Sequence, residues 1–321
     1  MNQRSENLAG KTVERIPLGR TSLRVSPLGV GTWAWGDTLF WEYGNGSYSD
    51  DDIQAAFDAS LEAGLNFFDT AEAYGSGRSE VILGRLALAR EEPLHVATKF
   101  MPFPWRLREE SLHGALKSSL LRLGQIDLYQ VHWPFPPVSV ETWMEALADA
   151  VEAGLINAVG VSNYNEEQMR RAHVALARRG IPLASNQVEY SLLNRAPEEN
   201  GVLDACRELG VSLIAYSPLA QGLLTGKYTP QNPPPGIRGL RYRKQVAALP
   251  PLLHLMEEIG AGHGGKTPAQ IALNWTISRE TIPIPGAKNA RQARDNAGAL
   301  GWRLTADEIG ALNSAAAEIP A

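Results

Sequence analysis

The chain has one cysteine, Cys206, so no intrachain disulfide can brace it. That residue lies in Val202-Leu203-Asp204-Ala205-Cys206, an expected helix in which a buried, inert thiol is the ordinary outcome. Met1 to Lys11 is polar and lacks the apolar core of a secretory signal, and no run approaches the ~18 apolar residues of a membrane span. An excess of one charge is missing too: 30 Lys and Arg against 35 Asp and Glu leave a net charge of -5. Nothing here favours nucleic acid or an anionic membrane as partner, so an anionic ligand must meet a local basic cluster. The histidines, His95, His113, His132, His173, His254 and His263, lack metal-ligand spacing. Linkers and low-complexity stretches are also lacking. Residues 1–321 therefore read as one domain of the reducing cytoplasm, with 1–11 as a flexible tail and a small molecule as partner.

What is present is an alternation of strand and helix. Short apolar runs centre near residues 28, 67, 97, 128, 160, 185, 214 and 282, and each is followed by a helical pattern. Ile53, Phe57, Ser60 and Leu61 share one helix face, Leu112, Leu116, Leu120 and Leu123 another, and Met144, Leu147, Ala148 and Val151 a third. Gly64, Gly124 and Gly154 close these three. Helix starts are marked by Asn165 with Gln168, Thr267-Pro268 with Gln270, and Thr305 with Glu308. Eight such units with no break predict an α/β fold, a closed (β/α)8 TIM barrel, over an open doubly wound sheet. Thr12 to Pro17 and Leu23 to Val25 flank a turn and predict an N-terminal β-hairpin. Ser217 to Leu249, after the seventh strand, is rich in proline and carries Arg238, Arg241, Arg243 and Lys244; it predicts a long lid loop.

Two glycine patterns mislead. Gly29-Val30-Gly31-Thr32-Trp33-Ala34 matches a dinucleotide fingerprint, but the first helix begins only near Asp50, so no helix N-terminus faces a pyrophosphate there. Gly75-Ser76-Gly77-Arg78-Ser79 lacks the spacing and lysine of a phosphate loop.

The informative residues are Asp69, Tyr74, Lys99 and His132, which follow or close strand runs. In a parallel barrel the strand C-termini share one mouth, so these four can share one pocket. Singly, each has an ordinary structural explanation. A lysine closing a buried strand, however, must be paired or strongly shifted in pKa, and Asp69 would supply the pair. A tyrosine that gives a proton, a lysine that lowers its pKa and a histidine that orients a carbonyl outline a carbonyl reductase. Trp33, Trp35, Trp41, Trp105 and Trp133 fall in predicted loops at the same end. Trp33, Trp35 and Trp133 are expected to wall a substrate pocket, whereas Trp41 and Trp105 are expected to pack loop against barrel. A second cluster is Ile284-Pro285-Gly286-Ala287-Lys288-Asn289, leading into a helix with Gln292, Arg294 and Asn296. Asn289 would cap it, and a helix start after the eighth strand is a favoured phosphate site.

With both clusters in place, the chain resembles the aldo-keto reductase family from about Val13 to Leu312. The resemblance rests on Phe68-Asp69-Thr70-Ala71-Glu72-Ala73-Tyr74-Gly75, Ala97-Thr98-Lys99, Asp127-Leu128-Tyr129-Gln130-Val131-His132-Trp133, Gly160-Val161-Ser162-Asn163-Tyr164, Ser185-Asn186-Gln187-Val188-Glu189-Tyr190, Ala215-Tyr216-Ser217-Pro218-Leu219 and Ile284-Pro285-Gly286-Ala287-Lys288. Gly31-Thr32-Trp33-Ala34-Trp35-Gly36 and Pro182-Leu183-Ala184-Ser185-Asn186-Gln187 look most like the plant plastid branch that includes pyridoxal reductase. The resemblance implies NADPH-dependent reduction of an aldehyde or ketone. Tyr74 would be the general acid, with Lys99 and Asp69 lowering its pKa and His132 placing the carbonyl. The nicotinamide would stack on Tyr216, its carboxamide held by Ser162, Asn163 and Gln187, with Gly31, Thr32, Trp33 and Asp69 on its other approach. Ser217, Pro218, Leu219, Gly222 and Lys227 would follow the pyrophosphate. Gly286, Lys288, Gln292, Asp295 and Asn296 would hold the adenosine end, with Arg294 near the 2′-phosphate. The alternative within the family is a non-catalytic nucleotide-binding subunit, like the potassium-channel β-subunits.

Overall fold

Parallel strands covered on both faces are buried along nearly their whole length, and that holds for eight of the ten strands here. The structure, a computed structural model, describes residues 13–320 apart from Leu39, Gly46, Glu91 and Glu92. Met1 to Lys11, expected as a tail, lies outside the described residues. The hairpin strands β1 (Ile16–Pro17) and β2 (Arg24–Val25) pair antiparallel. The barrel strands are β3 (Val30–Gly31), β4 (Phe67–Asp69), β5 (His95–Phe100), β6 (Leu128–Val131), β7 (Ala158–Ser162), β8 (Leu183–Glu189), β9 (Ser212–Tyr216) and β10 (Ile282–Pro283), each parallel to its chain neighbours. The ends of the sheet also meet. The Gly29 amide donates to Pro283 O at 2.9 Å, the Gly31 amide donates to Pro285 O at 3.0 Å, and Gly31 bridges Gly286. The sheet closes into the expected barrel.

Between the strands run α1 (Asp50–Glu62), α2 (Arg78–Leu88), α3 (Glu109–Leu123), α4 (Val140–Glu152), α5 (Glu166–Ala177), α6 (Ala196–Glu199), α7 (Val202–Leu209), α8 (Ile237–Arg241), α9 (Arg243–Ala248), α10 (Pro250–Gly262) and α11 (Pro268–Ser278). After β10 come α12 (Ala290–Ala297) and α13 (Ala306–Ala317). Reciprocal side-chain caps start α5 at Asn165 and Gln168, α11 at Thr267 and Gln270, and α13 at Thr305 and Glu308. These caps satisfy first-turn amides that no helical carbonyl can reach. Among the described residues no helix is long and apolar enough to cross a membrane.

The hairpin seals the barrel floor. Leu18, Leu23 and Val25 pack against Phe67, Ala97, Leu128, Ala158, Ala184, Ile214 and Ile282, an apolar plug below the mouth. Gly19 is needed for that seat: it holds φ at 56°, and a Cβ there would lie 2.4 Å from Ala184 O. The lid is more regular than a long loop. A tight 3₁₀ segment spans Ala220–Thr225, and α8 and α9 order its second half. Cys206 is buried in α7 beside Met169, and burial pushes its thiol up to about 12.

Candidate active site at the barrel mouth

β4 ends at Asp69, Lys99 lies one residue before the end of β5, and His132 directly follows β6. Tyr74 opens a 3₁₀ turn, Tyr74–Gly77, in the loop after β4. The barrel brings all four together. Lys99 is fully buried, and its Nζ donates to Asp69 Oδ1 at 2.5 Å, to Thr70 O at 2.7 Å and to Tyr74 OH at 3.4 Å. Three acceptors offset the desolvation of an ammonium that could not otherwise be buried. The His132 ring stands edge-on to Tyr74, with centroids 5.8 Å apart.

The electrostatics correct one expectation. Burial raises the Tyr74 pKa and Asp69 adds to the rise, while Lys99 pulls it down; the net direction is upward. The expected net lowering fails because desolvation of the hydroxyl outweighs one neighbouring cation. Tyr74 therefore carries its proton at neutral pH. Burial works against the charge on Lys99, but Asp69 and Tyr74 outweigh it and hold its pKa above the usual value. Burial, with Lys99 nearby, pushes His132 down to about 3, so its imidazole is neutral, and its Nδ1 is buried without a partner among the described residues.

Beside these four runs a hydrogen-bonded shelf. The Gln187 amide donates to Asp69 Oδ2 at 2.8 Å, and Ser162 Oγ donates to Gln187 O at 2.9 Å. Asn163 Nδ2 donates to Ser162 Oγ at 3.1 Å and to His132 O at 3.0 Å, while its Oδ1 accepts from Tyr216 OH at 3.0 Å. Asn163 holds φ at 61°, a conformation that costs energy and fixes the amide between β7 and β9. The half-buried Tyr216 ring ends β9. Thr32 is buried with its hydroxyl donating to Asp69 O at 3.0 Å, and Gly31 runs so close to β10 that a Cβ would lie 2.7 Å from Ile284 O.

At the far end, Lys288 Nζ donates to Trp41 O at 3.2 Å and sits 4.8 Å from the Trp41 ring and 4.4 Å from the Tyr48 ring. Arg238, from α8 in the lid, lies 5.2 Å from the same Trp41 ring. Burial, then Arg238 and Lys227, push Lys288 down to about 8. None of these three cations has an ion pair among the described residues. Crowded cations of that kind suit a polyanion. Asn289 caps α12 by accepting from the Gln292 amide at 3.0 Å. Gln292 Oε1 accepts from the Lys288 amide at 2.8 Å, and Asn296 Nδ2 donates to Gly286 O at 3.2 Å. Ser217, Ala220, Gln221 and Gly222 all hold positive φ, so the lid leaves β9 through a tight series of bends that also contains Pro218 and Leu219.

Some expected members stand apart. Trp35 is fully buried, its Nε1 donates to Ala287 O at 2.8 Å, and it packs on Phe57; it is core, not pocket wall. The Asp295 carboxylate accepts from Thr267 Oγ1 at 3.0 Å and Gln270 Nε2 at 3.1 Å, which turns it toward the start of α11. Arg294 pairs with Glu62 at 3.4 Å on the outer surface. Trp105, expected to pack against the barrel, is 74% exposed and stacks on Phe103. Trp33 stacks between Tyr74 at 6.0 Å and Phe40 at 5.0 Å. Trp133 stacks on Phe135 at 5.6 Å. Sequence reasoning gave no role to Gln130, whose amide reaches Asp69 Oδ2 at 3.2 Å. Its signal was its place two residues before His132, on the same inward strand face.

Comparison with known proteins matches residues 27–317 to the model of the aldo/keto reductase family. The chain is 44% identical to the chloroplastic pyridoxal reductase of Arabidopsis thaliana, over 96% of this chain and 87% of that protein. Among solved structures, a glycerol dehydrogenase from Gluconobacter oxydans superposes with a TM-score of 0.81 at 28% identity, covering 96% of this chain and 97% of that one. The thermostable aldo-keto reductase Tm1743, solved with the inhibitor epalrestat, gives a TM-score of 0.76 at 30% identity, covering 94% of this chain and 99% of that one.

Proposed function

The chain belongs to the aldo/keto reductase family, and from that premise we propose that it reduces an aldehyde or ketone with NADPH, Tyr74 supplying the proton. The observation that carries this is the contact between Lys99 Nζ and the Tyr74 hydroxyl at 3.4 Å, with Lys99 itself anchored on Asp69. The residues present suit a phosphorylated nicotinamide dinucleotide. Tyr216 offers a ring face, Ser162, Asn163 and Gln187 offer amide and hydroxyl groups, and Lys227, Arg238 and Lys288 form a cationic cluster with no salt bridge among the described residues. When bound, the cofactor supplies the hydride.

The chain's own groups do the rest. Tyr74, protonated at neutral pH as any tyrosine is and held further toward that state by burial, gives its proton to the carbonyl oxygen as negative charge develops there. Lys99 stabilises the tyrosinate left behind, and Asp69 keeps the ammonium in place. The neutral His132 imidazole offers a hydrogen bond to the same oxygen without adding a charge. Trp33 and Trp133 give the pocket flat apolar walls, which favour an aromatic aldehyde. The Arabidopsis relative makes pyridoxal the first to try. The single buried thiol of Cys206 is consistent with a reducing cytoplasmic setting.

The test is NADPH consumption with pyridoxal, aromatic aldehydes, methylglyoxal and simple ketones, on wild type and Tyr74→Phe. Tyr74→Phe should lose about 10²–10⁴ in rate with NADPH affinity nearly unchanged. Near-normal turnover in that variant would remove Tyr74 from the reaction.

A further inference from the structure

The Asp69 carboxylate is held from both sides. Oδ1 takes the Lys99 ammonium, while Oδ2 accepts from Gln187 at 2.8 Å and from Gln130 at 3.2 Å. Gln130 is fully buried, and the next layer toward the floor is the apolar plug around Leu128 and Ala158. An amide in that position is costly unless it is bonded. Its seat is made by an absence: a Cβ on Gly160 of β7 would lie 2.8 Å from Gln130 Cγ and 2.5 Å from Ser185 Oγ. Gln130 Oε1 and Ser185 Oγ are both buried and have no hydrogen-bond partner among the described residues.

We infer that Gln130 is a positioning residue for carbonyl reduction, fixing the Asp69 carboxylate so that Lys99 stays aimed at Tyr74, with Gly160 kept small to seat it. This rests on the proposed reductase reading. Under that reading Gln187 also serves the nicotinamide carboxamide, whereas the Gln130 amide serves Asp69 Oδ2 alone among the described residues. Gln130 is closed off from the surface and bonds Asp69, so it acts through that carboxylate.

The experiment measures single-turnover carbonyl reduction, NADPH dissociation constants and thermal midpoints for wild type, Gln130→Met, Gln130→Glu, Gly160→Ala and Tyr74→Phe. Gln130→Met keeps the side-chain length and removes the donor. We expect its hydride-transfer rate to fall about tenfold, about the worth of one hydrogen bond to a charged group, while NADPH affinity and the carbonyl KM stay within about twofold. Gln130→Glu separates positioning from packing. Protonated, the new carboxyl can donate to Asp69; ionised, it repels it. The charged groups facing it are Asp69 and Lys99. Lys99, paired with Asp69, lowers the pKa of the new carboxyl, but desolvation and Asp69 raise it by more, so this variant should be active at acid pH and lose rate through the neutral range. Gly160→Ala should reproduce the Gln130→Met loss by pushing the amide aside. A wild-type rate in folded Gln130→Met, or a flat pH profile in Gln130→Glu, overturns the inference while Tyr74→Phe remains inactive. Full activity in Tyr74→Phe would instead sink the reductase reading itself.

Discussion

Lys288 gives the most quantitative test of the cofactor assignment, because its proton is loosely held before any ligand arrives. Burial and the nearby Arg238 and Lys227 push it down to about 8. A 2′-phosphate beside it would restore the charge and return the pKa toward the ordinary lysine value of about 10.4. The sign then follows from linkage. The complex binds a proton that the free protein loses above about 8, so NADPH affinity must fall as pH rises through that value. Between about pH 7 and about pH 9 the protonated fraction of the free lysine drops from about nine-tenths to about one-tenth, so affinity should fall about tenfold, or ~1.4 kcal/mol. NADH, with nothing to place there, should show no such slope. Lys288→Ala should weaken NADPH roughly 10- to 100-fold at neutral pH, the worth of one charge-assisted hydrogen bond, and leave NADH nearly unchanged. Lys288→Arg should keep the preference and flatten the slope, since the guanidinium does not titrate there. The assay is a fluorescence titration of each cofactor at each pH. Equal losses for both cofactors in Lys288→Ala, or a pH-independent preference in wild type, would refute the reasoning.

Other outcomes follow from the same structure. Lys99→Met keeps the stem but removes the cation, so turnover should drop steeply and the pH–rate profile should move, because Tyr74 loses the one neighbour that lowers its pKa; an unchanged profile would make the lysine structural. His132 has its pKa depressed to about 3, well below the ordinary histidine value, so its NMR signals should not titrate between about pH 5 and about pH 9. The stability it contributes is present above the unfolded pKa of about 6.5 and is lost as pH falls toward the folded value, which a series of urea melts would read. Thr267→Ala removes the cap of α11 and a bond to Asp295, and should cost about 1–2 kcal/mol in urea unfolding.

The fold was legible because its signals are local and repeated. Apolar runs such as Ala158 to Val161, and caps such as Asn165 with Gln168, each state an element without reference to the rest of the chain. Closure of the ring depends on Gly29 and Gly31 meeting Pro283 and Pro285, far away in sequence, and only the number of units hinted at it. In the site, residue types and strand-end positions were enough to group Asp69, Tyr74, Lys99 and His132. Side-chain direction was not. Trp35 and Trp33 sit two apart in one loop, yet one faces Ala287 and the other faces Tyr74. The balance of burial against charge at Tyr74 was also illegible, because desolvation is set by the whole surrounding shell. Arg238 was visible as a lid cation, but its meeting with Trp41 depends on how the lid folds back.

The join between Gly29–Gly31 and Pro283–Gly286 bears on how this molecule comes into being. Both edges of the growing sheet stay open until the last strand has been made, and the floor waits as well, since the Gly19 amide donates to Ser212 Oγ at 2.8 Å. Contacts so distant in sequence must bear their loop-closure entropy before they contribute stability, which slows folding. During synthesis the half-built sheet presents two unpaired, apolar edges to every other chain nearby. A ribosome that stops before residue 283 releases a sheet that cannot close on itself, and chaperone dependence and aggregation should therefore concentrate in such truncated chains.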